Sequence, residues 1–289
     1  MGSEHREKRR TGQLFIVATP IGNLGDITYR AVESLKQVDL IAAEDTRVSR
    51  KLLSHYGIAT PVVACHEHNE REMADTLIRR LQAGEDVALI SDAGTPLIND
   101  PGYRLVSRVR ESGIDVSPLP GASSPIAALS ACGLPTDSFT YHGFLPRSGR
   151  HRKEMLAHVG HSSFTQVIME SPRRLVGTLR DLQDACGSDR RICVARELTK
   201  LHEEFISGSI AEVMEQLRDT HVRGEIVLVI EGSREPPAPT DDATILQRLA
   251  DEEMQQLAPS ARARRVAQEF RLPRSRVYDL LLTQGTDKK

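Results

Sequence analysis

One loop of the chain combines acidic residues with glycine and proline. Residues 87–109, VALISDAGTPLINDPGYRLVSRV, read as an apolar strand, a loop carrying Asp92 and Asp100, and an amphipathic segment. The loop contains no lysine or arginine, so its two acids would repel a phosphate unless a metal intervened. Carboxylates and free carbonyl groups instead accept hydrogen bonds from ribose hydroxyls and attract a cation. The alternative is structural, with Pro96 and Pro101 shaping turns and the two acids capping helices.

Two other loops have unusual composition. Residues 18–26, ATPIGNLGD, follow a strand and open a helix, but they have neither the GxGxxG spacing nor the Lys-Ser/Thr ending of a phosphate-binding loop. In HEHNE, His66 and His68 flank Glu67 and are predicted to share one side of a strand. No HExxH helix and no third ligand at a recognised spacing accompany them, so we predict no metal site. A substrate-facing loop at a strand end is the favoured interpretation.

Apolar strands and amphipathic helices alternate through the first half of the chain. Strands are predicted in QLFIVATP, DLIAAED, TPVVACH, VALIS and IDVSPLPG, with helices between them. This order predicts a parallel sheet covered on both faces, whose ligands sit at the carboxyl ends of the strands. Five further strand-like runs follow in closer succession, from SFTYHGFLP to GEIVLVIEG, and predict a mixed sheet.

Composition limits the classes of function. At 289 residues with 39% apolar side chains and a net charge of −2, the chain can form two domains, and attraction to a polyanion must come from local patches. Scarce aromatics and the absence of tryptophan argue against a base-stacking platform. Four cysteines without a CxxC pair, no membrane-length apolar run and no secretory signal predict a cytoplasmic protein with reduced core thiols. Residues 1–11 are expected to form a disordered tail.

The C-terminal region carries a separate charge signal. After the proline-rich linker SREPPAPTDD, residues 236–289 read as helices only, and SARARRVAQEFRLPRSRVYDLLL predicts a helix-turn-helix pair. Six arginines and one acid lie between Ser260 and Arg276, which favours docking to nucleic acid. The alternative is a solvated basic face on a small helical bundle. The candidate RNA contacts are Arg262, Arg264, Arg265, Arg274 and Arg276.

Several motifs together resemble a known family. TPIGNLGDIT, AAEDTR, HEHNE, SDAGTPLINDPG, LPGASS, GLPTDSFTYHGFLP, MESPRRL, ARELTK and GEIVLVIEG stand in the order found in the tetrapyrrole methylase superfamily of S-adenosylmethionine-dependent methyltransferases. The combination of AEDTR with SDAGTPLINDPG resembles the branch that 2'-O-methylates a cytidine of small-subunit ribosomal RNA, at position 1402 of the 16S molecule. A same-fold methyltransferase for a tetrapyrrole or a protein side chain, and a small-molecule-sensing nucleic-acid-binding regulator, are the alternatives.

The resemblance implies two α/β domains, at residues 12–121 and 122–235, with S-adenosylmethionine in the cleft between them, and a helical RNA-docking domain at 236–289. It also implies a homodimer and a ribosomal RNA or small-subunit partner. Carried over by position, the residues expected at the cofactor are Pro20, Asp92, Ala93, Gly94, Thr95, Ile98, Ser123, Ser124, Met169, Leu198 and Ile226.

Methyl transfer to a hydroxyl needs alignment and a place for the hydroxyl proton. Alignment contributes roughly 7 to 11 kcal/mol and a general base a factor of about 10² to 10⁴, so positioning is the larger contribution. The candidates for the base, or for orienting the ribose, are Glu44, Asp45, Asp100 and Glu170. Outside the C-terminal helical region, the residues expected to contact RNA are Arg47, His68, Glu70 and Lys200.

Overall fold

A computed structural model describes residues 11–218, 222–233, 241–270, 272 and 274–286. Its first half is a parallel sheet of five strands in the order β3-β2-β4-β1-β5, as predicted. The strands are β1 (Leu14–Val17), β2 (Leu40–Ala43), β3 (Val62–Ala64), β4 (Val87–Ile90) and β5 (Val116–Leu119). The helices between them are α1 (Tyr29–Gln37), α2 (Thr46–His55), α3 (Glu70–Gln82) and α4 (Tyr103–Glu111).

The helices cover both faces of this sheet because its central strands are apolar on both sides. Every residue of β2 and β4 is buried. Apolar side chains of α1 and α2 pack on one face, and those of α3 and α4 pack on the other. β1 and β4 are neighbours in the sheet, but α1, which follows β1, and α4, which follows β4, pack on opposite faces. A crevice therefore opens between the carboxyl ends of these two strands.

The second sheet is mixed, as predicted, in the order β6-β7-β10-β8-β9. β6 (Phe139–Phe144) runs parallel to β7 (Thr165–Glu170), whereas β10 (Ile226–Ile230) is antiparallel to β7 and to β8 (Arg191–Arg196), and β9 (Glu204–Ser209) is antiparallel to β8. The accompanying helices are α5 (Ser124–Ala131), α6 (Arg150–His161), α7 (Leu175–Cys186) and α8 (Ile210–Gln216).

Sequence patterning does not predict α6. Its inward positions are Arg152, Leu156, Val159 and Gly160, so a charged residue opens the buried stripe. Arg152 is only 9% exposed because it donates to Asp181 and to the carbonyl of Pro146. An arginine buried by distant partners interrupts the apolar period from which a helix is predicted.

Both sheets lie in one compact unit, which reaches Gly160 and resumes at Phe164–Glu231. A second compact unit contains His161–Ser163 and the described residues from Gly232 onward. Its described part from residue 241 contains helices and no strand: α9 (Asp242–Ala250), α10 (Glu252–Gln255), α11 (Pro259–Phe270) and α12 (Arg274–Thr286). The domain boundaries predicted at 121/122 and 235/236 stay predictions, and the predicted tail, apart from Thr11, and the linker prolines lie outside the described residues.

The cysteines form no disulfide. Cys65, Cys132 and Cys193 are buried and Cys186 is half-buried. Burial raises the pKa of Cys65 to about 11, so its thiol is protonated at neutral pH. In the described part of the chain, none of the helices combines the length and the apolar character needed to cross a bilayer.

Candidate active site

The loops that follow β1, β4 and β5 are joined at the crevice. Thr19 and Gly94 exchange two backbone hydrogen bonds, of 2.9 and 3.0 Å. Gly94 has φ +85°, and a Cβ there would lie 3.3 Å from Cγ2 of Ile21, so the loop needs glycine at this position. The hydroxyl of Thr95 donates to the carbonyl of Ala122 at 3.1 Å. Three strand ends therefore form one continuous rim.

A cluster of carboxylates stands at this rim. Glu44 follows β2 directly, and Asp92 and Asp100 belong to the loop after β4. Burial raises the pKa of each of the three, and the charges of Asp100 and Asp92 raise that of Glu44 further. A carboxylate with a raised pKa binds a proton more tightly than an exposed one, which suits proton abstraction, and the clustered charge attracts a cation.

Asp45 has a different role from its neighbour Glu44. Its carboxylate accepts from the backbone N–H of Arg47 at 2.8 Å and from Nη2 of the same arginine at 2.7 Å, so it caps α2. The Arg47 hydrogen bonds hold the pKa of Asp45 well below its usual range. A base as weak as this is a poor proton acceptor, and the structure favours the capping role. The Arg47 side chain is 86% exposed and stays available at the rim.

The loop after β4 also reaches the second sheet. Nδ2 of Asn99 lies 3.3 Å from Sδ of Met169, and the hydroxyl of Tyr141 lies 3.0 Å from the same sulfur. Gly143 has φ +63°, and a Cβ there would stand 2.5 Å from Oδ1 of Asn99. Burial raises the pKa of Tyr141, and the charge of Asp100 raises it further. The structure therefore brings Met169, a predicted cofactor residue, to the loop that holds Asp100.

Sequence reasoning missed Asn99, Tyr141 and Gly143. The available signal was the glycine inside the strand pattern FTYHGF, because a glycine in a strand marks a bulge or a close backbone approach. The register of β6 against β7 does shift between Tyr141 and Phe144.

Asp100 does not cap the helix that follows it. The N-cap of α4 is Gly102, which makes no side-chain capping bond, and the Ser91 side chain partly offsets the effect of burial on the pKa of Asp100. The N–H of Leu105, in the first turn of α4, donates to Oε1 of Glu70 at 3.1 Å. Glu70 is 5% exposed and acts as a cap supplied by α3, so the structure favours a structural role for it, and the RNA contact at Glu70 stays a prediction.

The two histidines of HEHNE lie in a turn and not in a strand. β3 ends at Ala64 and α3 begins at Glu70, and the rings of His66 and His68 are 6.0 Å apart between centroids. His68 is exposed, as a contact to substrate requires. Among the described residues, no three His, Cys, Asp or Glu side chains are arranged as metal ligands.

The remaining predicted cofactor residues divide between two places. Leu198 packs with Ile21 in one apolar cluster, and a Cβ on Gly22 would lie 2.9 Å from the Leu198 carbonyl, so the loop after β1 closes on the loop after β8. Ile226 is 1% exposed and packs with α7 and α8 on the opposite face of the second sheet. Its side chain therefore does not lie with Leu198, and the cofactor contact at Ile226 stays a prediction. Pro20, Ser123 and Ser124 are half-buried at the rim, whereas Asp92, Ala93 and Ile98 are exposed.

Glu170 and Lys200 are engaged by neighbouring side chains. Glu170 is buried; its carboxylate accepts from the hydroxyl of Thr178 at 2.6 Å and from the N–H of Ser171 at 2.7 Å, and Nε of Arg174 lies 3.3 Å away. These partners favour a structural role for Glu170 over that of a base. Nζ of Lys200 donates to Glu197 at 2.9 Å.

Several arginines of α11 and α12 contact other residues of the C-terminal unit. Arg276 contacts Asp242 at 2.8 Å, and Nη2 of Arg274 donates to the Ser260 hydroxyl at 3.0 Å. Arg262 is half-buried and donates to the carbonyls of Gln255 and Leu257. The side chains of Arg264, Arg265 and Arg274 are exposed.

The chain is similar in sequence to known methyltransferases. The sequence model of the Tetrapyrrole (Corrin/Porphyrin) Methylases matches residues 13–214. A ribosomal RNA small subunit methyltransferase I from Synechocystis sp. is 44% identical over 96% of this chain and 99% of its own length. Its counterpart from Haemophilus influenzae is 51% identical over 77% of this chain and 79% of its own length.

Solved structures share the fold at low identity. A cobalt precorrin-4 methyltransferase superposes with a TM-score of 0.55 at 18% identity, over 76% of this chain and 94% of that one. A uroporphyrin-III C-methyltransferase from Thermus thermophilus, complexed with S-adenosylhomocysteine, gives 0.53 at 19% identity, over 76% and 97% of the two chains. The joined strand-end loops, the extent of the sequence match and the identity to its relatives together show that this chain belongs to the tetrapyrrole methylase family.

Proposed function

We propose that the protein transfers a methyl group from S-adenosylmethionine to the 2'-oxygen of a cytidine ribose in small-subunit ribosomal RNA, at position 1402 of the 16S molecule. The relatives at 44 and 51% identity are methyltransferases of small-subunit ribosomal RNA by name. The observation that carries the chemistry is the cluster of Glu44, Asp92 and Asp100, whose pKa values are all raised, in a rim without lysine or arginine between residues 91 and 102.

The rim suits a cationic cofactor that carries a ribose. The Asp92 carboxylate accepts hydrogen bonds from ribose hydroxyls, and the acidic charge of the rim favours a sulfonium over a neutral ligand. When bound, S-adenosylmethionine supplies an electrophilic methyl group on a positively charged sulfur. The residues proposed to hold it are Pro20, Asp92, Ala93, Gly94, Thr95, Ile98, Ser123, Ser124, Met169, Leu198 and Ile226.

Asp100 is the residue best placed to take the hydroxyl proton. A bond forms between the 2'-oxygen and the methyl carbon as the carbon–sulfur bond breaks, its electron pair passes to sulfur, and the hydroxyl proton passes to a carboxylate. Asp100 lies where the loop after β4 meets Tyr141, so it stands beside both sheets, and Glu44 is the second candidate. Alignment supplies roughly 7 to 11 kcal/mol and the base a factor of about 10² to 10⁴.

The C-terminal unit is proposed to dock the RNA. Exposed Arg264, Arg265 and Arg274 contact phosphates, which position the particle without reading its sequence. The protein is proposed to act as a homodimer, as its family implies. Deletion of residues 236–289 should weaken RNA binding more than cofactor binding, and equal losses by filter binding and calorimetry would remove the docking role.

The decisive assay measures transfer of labelled methyl from S-adenosylmethionine to small ribosomal subunits that lack the modification. We expect one methyl per subunit, recovered as 2'-O-methylcytidine after nuclease digestion. The Asp100→Asn variant should lose most of this rate, whereas Asp115→Asn, an exposed acid just before β5, should not. Label on a tetrapyrrole or on ribosomal protein, or cofactor binding without transfer to RNA, would overturn the proposal in favour of its alternatives.

A further inference from the structure

The outer side of α2 carries cations and no acid. Arg47, Arg50, Lys51 and Ser54 stand at positions i, i+3, i+4 and i+7, which places them on one side of the helix. The opposite side, at Ser49, Leu52 and Leu53, is buried in the sheet. We call Arg47, Arg50 and Lys51 the α2 basic face. Arg50 and Lys51 are exposed, as is the Arg47 side chain.

Two of these cations make no ion pair with the residues that the structure describes. Within the part of the chain that the structure describes, neither Arg50 nor Lys51 contacts a carboxylate. Elsewhere in the protein cations are commonly neutralised, as Arg108 is by Asp75 and Arg152 by Asp181. An unneutralised pair of cations on a chain with a net charge of −2 is a local attraction for a polyanion.

A groove adjoins this face. It has a volume of about 720 Å³ and is lined on one side by Arg50, Lys51 and Ser54, with Ile58 and Val62 among its apolar lining residues. No aspartate or glutamate lines it. A lining that combines two cations with apolar residues and no acid is compatible with the phosphates and sugars of a nucleic-acid strand.

We propose that the α2 basic face and its groove bind phosphates of the substrate RNA along the strand that leads away from the target nucleotide, the face near the rim and the groove farther from it. The inference rests on the proposed function, because α2 begins at Thr46, two residues after Glu44 of the carboxylate cluster. At about 1.5 Å of rise per residue, the α2 basic face runs for roughly 6 Å along the helix from Arg47 to Lys51. Phosphates held along it place the neighbouring ribose at the rim, where acids that repel phosphate face the hydroxyl.

The test compares the salt dependence of RNA binding. The Arg50→Ala/Lys51→Ala double variant is titrated with an unmodified fragment of small-subunit ribosomal RNA at several salt concentrations. Loss of two phosphate contacts should reduce the slope of log affinity against log salt by about 1.4, at about 0.7 per phosphate of a single strand. The KM for RNA should rise, and charge reversal to glutamate at both positions should raise it further.

The matched control removes two exposed cations from other helices, Arg110 of α4 and Lys153 of α6. This variant should keep the slope and the KM of the unaltered protein, and thermal unfolding establishes that both variants fold. An unchanged slope in Arg50→Ala/Lys51→Ala overturns the inference. A loss of affinity that appears only with assembled subunits and not with naked RNA also overturns the inference, because the partner is then a ribosomal protein. Failure of the proposed function is distinguishable, since the unaltered protein would then transfer no methyl to RNA.

Discussion

Replacement of Glu70 by alanine separates a structural role from a role in RNA binding. Its buried carboxylate accepts the Leu105 N–H at 3.1 Å, in the first turn of α4, where the N-cap Gly102 supplies no side-chain bond. A hydrogen bond to a charged group contributes about 1.5 to 3 kcal/mol to stability. At about 2 to 4 °C per kcal/mol for a unit of this size, Glu70→Ala should lower the unfolding midpoint by roughly 3 to 12 °C.

Two variants complete this experiment. Glu70→Gln keeps an acceptor oxygen but loses the charge, so its midpoint should lie between those of the unaltered protein and Glu70→Ala. Glu72→Ala removes an exposed acid from the same turn of α3 and should change stability by less than about 0.5 kcal/mol. Differential scanning calorimetry measures the midpoints and methylation assays measure the KM for RNA. A raised KM with an unchanged midpoint in Glu70→Ala would refute the capping role and support the RNA contact.

Three further changes test the site. Asp100→Asn should lower the transfer rate about 10² to 10⁴-fold and remove the acidic limb of its pH profile. Because burial raises the pKa of Asp100, the ionised carboxylate destabilises the folded state at pH values above that raised pKa. The variant should therefore unfold at a higher temperature than the unaltered protein near neutral pH. Calorimetry should show that this difference in unfolding temperature disappears below about pH 4, where the carboxyl group is protonated in both the folded and the unfolded state. Gly143→Ala should raise the KM for S-adenosylmethionine by displacing Asn99. Gly149→Ala is the control: Gly149 has φ +90° and open space around it, so the variant should keep this KM and lower the free energy of unfolding by only about 1 to 2 kcal/mol, measured by thermal unfolding. Thr178→Val removes the donor to the buried carboxylate that ends β7 and should cost about 1 to 3 kcal/mol in denaturant titration, with the turnover of the folded enzyme preserved.

The elements that build the site follow from local patterning. The strands LFIV, LIAA and VALI are continuous apolar runs, and a strand buried on both faces needs no other signal. The helices α3 and α7 are predicted from apolar residues repeated at the helical period. Because parallel strands share one carboxyl edge, the convergence of the loops after β1 and β4 was also predictable.

The roles of the acids were not predictable in this way. Glu44, Asp45, Asp100 and Glu170 were equal candidates for the base, because residue type alone does not separate them. Their surroundings in the folded protein separate them. Asp45 is hydrogen-bonded to Arg47, and the buried Glu170 accepts a hydrogen bond from Thr178. Asp100 and Glu44 lie at the rim with raised pKa values. The same holds for Tyr141, which reaches the rim only because the two sheets come together there.

The sequence by itself determined the two sheet types, the motifs of the family and the loop in which acids occur without basic residues. These features depend on side-chain periodicity and composition, which are local properties of the chain. Only the tertiary structure decided which acid caps a helix, which is buried in a network and which faces the crevice. Burial and hydrogen-bond partners set the state of a carboxylate, and for Glu70 and Glu170 the deciding partners include Leu105 and Thr178, which other helices bring to them.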